Sequence, residues 1–161
     1  MDKANLRFTL KNCAEVILFS YNIFHSIVCI ITVHNIIYGL LIAWTKEAID
    51  TQLQWLKDGI LDGGYGVEIN KIVANKLQEY ISVENKHVLV IGSKLPWLEV
   101  ILLSLNVGNI TTLEYNRYVT DHPKINVISP LKFGDLVRSN TAIMFDAMVT
   151  FSSLEHSGLG R

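Results

Sequence analysis

F-D-A-M-V-T-F-S-S-L-E-H, from Phe145 to His156, decides the fold when it is set beside V-L-V-I-G at Val88 to Gly92 and T-L-E-Y at Thr112 to Tyr115. Each contains an apolar run of strand length, and the first two end in small or polar groups. His87 to Ile91 lacks polar alternation, the pattern of a strand covered on both faces of a parallel sheet. Trp97 to Leu105 reads as a helix. Asn106-Val-Gly108 stops it, with Gly108 free to take the left-handed conformation beyond the helix end. Ile110 to Tyr115 is a second strand, and Ile125 to Ile128 a shorter third between Pro123 and Pro130. Leu131 to Arg138 contains a helical turn or two, and Ala147 to Phe151 is the fourth strand. Such strand-helix-strand alternation predicts an α/β domain with a parallel sheet and crossover connections.

Upstream of the first strand the pattern is amphipathic helix. Thr45 is a plausible N-cap, and Ile49, Leu53, Leu56 and Ile60 recur at spacings of three and four, which puts them on one face. Gly63, Gly64 and Gly66 break that helix. A second follows with Ile69, Ile72, Val73, Leu77 and Ile81 on its apolar side. Both stripes read as faces that cover a sheet or core.

Between Glu15 and Lys46 there is no Asp, Glu, Lys or Arg, and aliphatic and aromatic residues dominate from Val16 to Trp44. A helix needs about 20 apolar residues to cross the hydrocarbon layer, so residues 1–44 are read as a hydrophobic N-terminal segment and a candidate single-pass membrane anchor. Asn22, His25, Ser26, Thr32, His34 and Asn35 interrupt it, and each would need a partner in lipid. Lys3, Arg7 and Lys11 precede the run, an arrangement that keeps the N-terminal end cytoplasmic. The other reading is a buried segment covering a cytoplasmic domain. Residues 45–161 form the domain itself.

The composition narrows the function classes. Lys+Arg 14 against Asp+Glu 15 gives a net charge of -1, with no global field to attract nucleic acid. Charged residues are 18% of the chain, below the roughly 25% usual in soluble domains, so some apolar surface serves more than a simple core. Cys13 and Cys29 cannot define a disulfide framework or a metal site and read as packed thiols. No His, Cys, Asp and Glu set has metal-ligand spacing.

In an open parallel sheet, ligands bind beyond the carboxyl ends of the strands, near the point where strand order reverses. The first strand ends at Ile91-Gly92-Ser93, where a glycine lets backbone approach a ligand. The second ends at Leu113-Glu114-Tyr115. A carboxylate there, about 20 residues past the glycine, can accept hydrogen bonds from both hydroxyls of an adenosine ribose, or it can be a solvated strand-end acid. His156 is the candidate catalytic acid/base, because imidazole titrates near neutrality. Equally, Leu154-Glu155-His156 reads as the start of a helix. Asp146 and His87 fall at the opposite end of the sheet and read as structural, and His122 is a loop histidine without a visible partner.

These strings resemble the first, second and fourth motifs of class I S-adenosylmethionine-dependent methyltransferases. They are more similar still to an uncharacterised nematode family of methyltransferase-like domains, through A-I-D-T-Q-L-Q-W-L at Ala48 to Leu56, G-G-Y-G-V-E at Gly63 to Glu68, V-I-G-S-K-L-P-W-L-E at Val90 to Glu99, T-T-L-E-Y-N at Thr111 to Asn116 and F-S-S-L-E-H-S-G-L-G-R at Phe151 to Arg161. The resemblance implies a Rossmann-like parallel sheet, partial at about four strands, preceded by amphipathic helices and an N-terminal hydrophobic helix. It implies S-adenosylmethionine as cofactor. Gly92 and Ser93 would line its methionine side, Glu114 would hold the ribose, Tyr115 would lie beside the adenine, and Phe151 would stand near the methyl-transfer centre. The methyl acceptor is unidentified.

Two departures accompany the resemblance. Ser93-Lys94-Leu95-Pro96 replaces the glycine-rich loop, so the backbone must take another path, and Lys94 would favour a phosphate or carboxylate on the ligand. Methyltransferases of this class also continue with three more strands where this chain has Gly158-Leu159-Gly160-Arg161. The expectation is therefore a domain weakly active or inactive as given, with Met148, Val149 and Phe151 on an edge that invites self-association. The rival reading is a non-catalytic ligand-binding or protein-interaction module on a membrane anchor.

Overall fold

A computed structural model describes residues 42–141 and 144–153, with the backbone of two short strands, β1 (Arg7–Phe8) and β2 (Val16–Ile17), which pair antiparallel. The chain continues through β3 (Ile42–Trp44), α1 (Lys46–Lys57), α2 (Val67–Tyr80), β4 (His87–Ile91), α3 (Trp97–Ser104), β5 (Asn109–Leu113), β6 (Tyr118–Thr120), β7 (Ile125–Ile128), α4 (Pro130–Arg138) and β8 (Ala147–Thr150). The four-stranded sheet has the order β7-β5-β4-β8, and every pairing in it is parallel. The expected α/β class with a parallel sheet and preceding amphipathic helices is what the chain adopts.

β4 and β5 are the two inner strands, which explains their apolar runs. Val88 and Val90 face one core with Ile110, Val149 and the α3 residues Leu98, Ile101 and Leu102. Leu89 and Ile91 face the other with Leu113, Ile128, Met148, Phe133 of α4 and Phe145. Thus α3 lies on one side of the sheet and α4 on the other, and strands without alternation are covered twice.

The helix ends follow their capping residues. Thr45 accepts from the Ala48 N–H at 3.2 Å to open α1, and Ser129 accepts from the Lys132 N–H at 3.3 Å to open α4. Ile60 departs from the expected apolar face, because α1 ends at Lys57 and leaves Ile60 exposed. At the end of α3 the left-handed residue is Asn106, with φ 58°, instead of Gly108. Glycine at 108 answers a different need: a Cβ there would sit 2.8 Å from the Asn85 carbonyl carbon and oxygen.

The hydrophobic helix expected over Val16 to Trp44, and the anchor with it, lies outside the described residues except at its ends. There Val16–Ile17 and Ile42–Trp44 are strands instead of helix. β3 pairs in parallel with β6, and the Trp44 ring packs on Tyr118 with centroids 4.7 Å apart. Both rings are buried, which draws Trp44 into the core that α1 covers. Among the described residues no helix is long and apolar enough to cross a membrane.

Candidate functional site

The sheet order places β4 between β5 on one side and β8 on the other, so the direction of winding reverses between β4 and β8. Beyond the carboxyl ends of these strands lies a cavity of about 590 Å³. Gly92, Ser93, Glu114, Tyr115 and Phe151 all line it, so the structure gathers at one rim the five described residues picked out in the sequence. His156 lies outside the described residues.

Glu114 follows the last residue of β5 and is nearly buried, at 8% exposure. Its Oε2 accepts from the Ser93 N–H at 2.9 Å, while Oε1 accepts from the Asn116 N–H at 3.1 Å and from Asn116 Nδ2 at 3.2 Å. It is therefore an anchored acid and not the solvated one of the alternative reading. A carboxylate offers about four acceptor sites, so three bonds leave room for a donor from a ligand. Tyr115 is 42% exposed beside it, at the cavity mouth. Burial, and then the Glu114 charge, push its phenol above the ordinary value.

Gly92 adopts φ +70°, a conformation that favours glycine, and its N–H donates to Leu113 O at 3.0 Å. The space left by its missing side chain is used by the chain itself. A Cβ there would collide with Ser153, whose Oγ lies 3.0 Å from Gly92 O and 3.1 Å from Phe151 O, with one hydrogen to give between them. Close approach at Gly92 thus serves the segment that leaves β8, whereas the sequence pattern assigned it to a ligand. The path after Gly92 is set by Ser93, which is buried, with its Oγ 2.9 Å from Leu95 O and 2.8 Å from Glu99 Oε2.

The opposite wall is aromatic. Phe151 meets Trp97 edge-on with centroids 5.1 Å apart and Tyr65 at 4.8 Å. Tyr65 comes from the Gly63–Gly66 loop, where Asp62 Oδ1 accepts from the Gly64 N–H at 2.8 Å and the Gly66 N–H at 3.0 Å. Gly63 is required because a Cβ would reach within 2.6 Å of the Trp97 indole Cδ2. Sequence reading took these glycines only as a helix break, so Gly63, Tyr65 and Trp97 were missed as cavity residues. The G-G-Y-G spacing was the available signal.

Glu99 was missed as well. It occupies the first turn of α3, is fully buried, and accepts from Thr112 Oγ1 at 2.7 Å. Desolvation, partly offset by the hydroxyls of Thr112 and Ser93, pushes its carboxyl up to about 7. One acid inside Trp97-Leu-Glu-Val-Ile-Leu-Leu was its signature.

The remaining polar candidates do structural work. His87 exchanges bonds with Asp146 at the far end of the sheet: its N–H donates to Asp146 Oδ2 at 2.8 Å, and the Asp146 N–H donates to His87 O at 2.8 Å. Its ring Nε2 lies 2.9 Å from Thr111 Oγ1, and burial holds the imidazole below its ordinary range. His122 has a partner after all, since Nδ1 accepts from the Lys124 N–H at 3.2 Å. Among the described residues no cluster of His, Cys, Asp and Glu could hold a metal ion.

Residues 85–161 match the model of a family described as Caenorhabditis protein of unknown function, DUF268. The matched stretch carries β4 to β8, and with them most of the cavity; β3, α1 and α2 precede it. The chain is thus similar, over its parallel sheet, to an uncharacterised nematode family. No curated protein and no solved structure matches the chain.

Proposed function

We propose that the domain is a Rossmann-like, methyltransferase-like module that takes S-adenosylmethionine in the cavity at the β4/β8 switch. The observation that carries this reading is the joint wall made by the Gly92-Ser93 turn and Glu114, with the Ser93 N–H bonded to the acid at 2.9 Å. A strand-end carboxylate at this place in an open parallel sheet is suited to ribose hydroxyls.

The residues present fit such a ligand in two parts. Glu114 keeps acceptor capacity for the ribose, and Tyr115 stands at the cavity mouth where the adenine would lie. At the methionine end the Ser93 hydroxyl is engaged internally and Ser153 covers Gly92, so the exposed ammonium of Lys94 is the group there that would pair with the carboxylate. Phe151, Trp97 and Tyr65 line the cavity, and aromatic rings attract a sulfonium as they do other onium groups. Bound there, the cofactor supplies an activated methyl group for an acceptor, with His156 the candidate base.

Isothermal titration with S-adenosylmethionine and S-adenosylhomocysteine tests the proposal. Heat with wild type and its loss in Glu114→Ala is the expected outcome; no heat with either ligand favours the non-catalytic interaction module. For location, the apolar sequence of residues 18–41, between β2 and β3, is what supports a membrane-bound protein. Alkaline carbonate extraction is expected to leave it in the pellet, and release into the supernatant overturns the anchor.

A further inference from the structure

We infer that Glu99 is a protonated, neutral acid in mildly acidic solution and acts as a positioning residue, locking the Ser93 turn that presents Glu114 to the cavity. The relevance to a ligand rests on the reading above; the protonation and the lock do not.

The argument is a count of protons. Ser93 Oγ has one hydrogen to give, yet it lies 2.9 Å from Leu95 O and 2.8 Å from Glu99 Oε2, both acceptors if Glu99 is ionised. One contact would then be two oxygens facing each other without a proton between them. With a proton on Glu99 Oε2 the chain closes. Glu99 donates to Ser93 Oγ, Ser93 donates to Leu95 O, and Thr112 Oγ1 donates to Glu99 Oε1 at 2.7 Å.

The surroundings favour the same state. Glu99 is fully buried, and no ion pair reaches it among the described residues, so an ionised carboxylate would lie in apolar packing uncompensated by a cation. The titratable groups facing it are Glu114 beyond β5 and Tyr118 of β6, an acid and a phenol. Lys94 on the turn is exposed, and so are the charged side chains of α1, which packs against α3. A like charge on Glu114 further opposes ionisation of Glu99.

The consequence is mechanical. Ser93 is gripped from two sides, its hydroxyl by Glu99 on α3 and its N–H by Glu114 at the end of β5. Ionising Glu99 leaves one Ser93 hydrogen for two acceptors, so the turn loses either its Glu99 or its Leu95 contact, and two negative charges then surround one residue.

The test uses the full chain without ligand. Infrared difference spectra between wild type and Glu99→Gln, taken at pH 6, are expected to show a protonated-carboxyl stretch that the variant lacks. The Ser93 amide resonance is expected to shift with a midpoint near pH 7 in wild type and to stay flat in Glu99→Gln, which cannot ionise. The absence of that band, or the same titration in both proteins, overturns the inference. Should the second N–H that the amide buries keep Glu99→Gln from folding, carboxyl carbon shifts of labelled wild type give the protonation state independently, and an ionised carboxyl at pH 6 overturns the inference. Because no ligand is used, a failure to bind S-adenosylmethionine leaves this result standing.

Discussion

Ser93 and Glu114 meet through a backbone N–H and a carboxylate oxygen 2.9 Å apart, and this bond joins the carboxyl ends of β4 and β5 into one wall. The two residues are 21 apart in sequence, yet one sets the orientation of the other. The turn after β4 and the acid after β5 therefore behave as a single unit.

Replacing Glu114 with alanine removes the acceptor for three N–H groups, among them that of buried Ser93. Leaving a buried donor unpaired costs about 1–3 kcal/mol. Urea unfolding should register a loss of that size, with Glu114→Gln losing less because its carbonyl still accepts. An unchanged midpoint in Glu114→Ala would show that the wall does not depend on the acid.

Stability should depend on pH through Glu99. Its folded value of about 7 stands above the ordinary glutamate value of 4.5, so the native state retains a proton that the unfolded chain releases. The contribution is complete below about pH 4.5, falls as pH rises toward 7, and is absent above that, with a total on the order of 3 kcal/mol. The difference between wild-type and Glu99→Gln unfolding free energies across this window isolates it. A constant difference would contradict the assignment.

Gly63→Ala should displace the Trp97 indole, because the new methyl would stand 2.6 Å from Cδ2 and 2.7 Å from Cδ1. Overpacking of this kind typically costs about 1–3 kcal/mol. Thermal unfolding is expected to move down, with a changed near-ultraviolet dichroism from the Tyr65, Trp97 and Phe151 cluster.

Gly92→Ala carries two separable penalties, a collision with Ser153 and a φ of +70° that alanine resists. Adding Ser153→Gly should recover the first and leave the second, roughly 1–2 kcal/mol. Complete rescue in the double variant would mean that conformation at Gly92 contributes nothing.

The inner part of the parallel sheet was legible because burial on both faces writes an unbroken apolar run, and the expected His87 to Ile91 agrees with β4 residue for residue; Ile125 to Ile128, an edge strand set off by Pro123 and Pro130, agrees with β7 as well. That Glu114 and Gly92 share one rim was legible because both follow the carboxyl ends of neighbouring parallel strands, whereas the use of Gly92 by Ser153 was not. β3 and β6 were not, since a three-residue strand has no periodicity of its own and forms only because a distant partner pairs with it. Glu99 was hidden for a related reason. Its hydrogen bonds come from Ser93 and Thr112, which local spacing cannot bring together.

The stacking of Trp44 on Tyr118 has a reach beyond the core, because the Tyr118 hydroxyl donates to Lys94 O at 3.2 Å. Two contacts therefore couple the upstream polypeptide to the floor of the cavity. A displacement of the Ile42–Trp44 strand would reach the Lys94 turn through one ring contact and one hydrogen bond, which ties the position of β3 to the shape of the cavity wall.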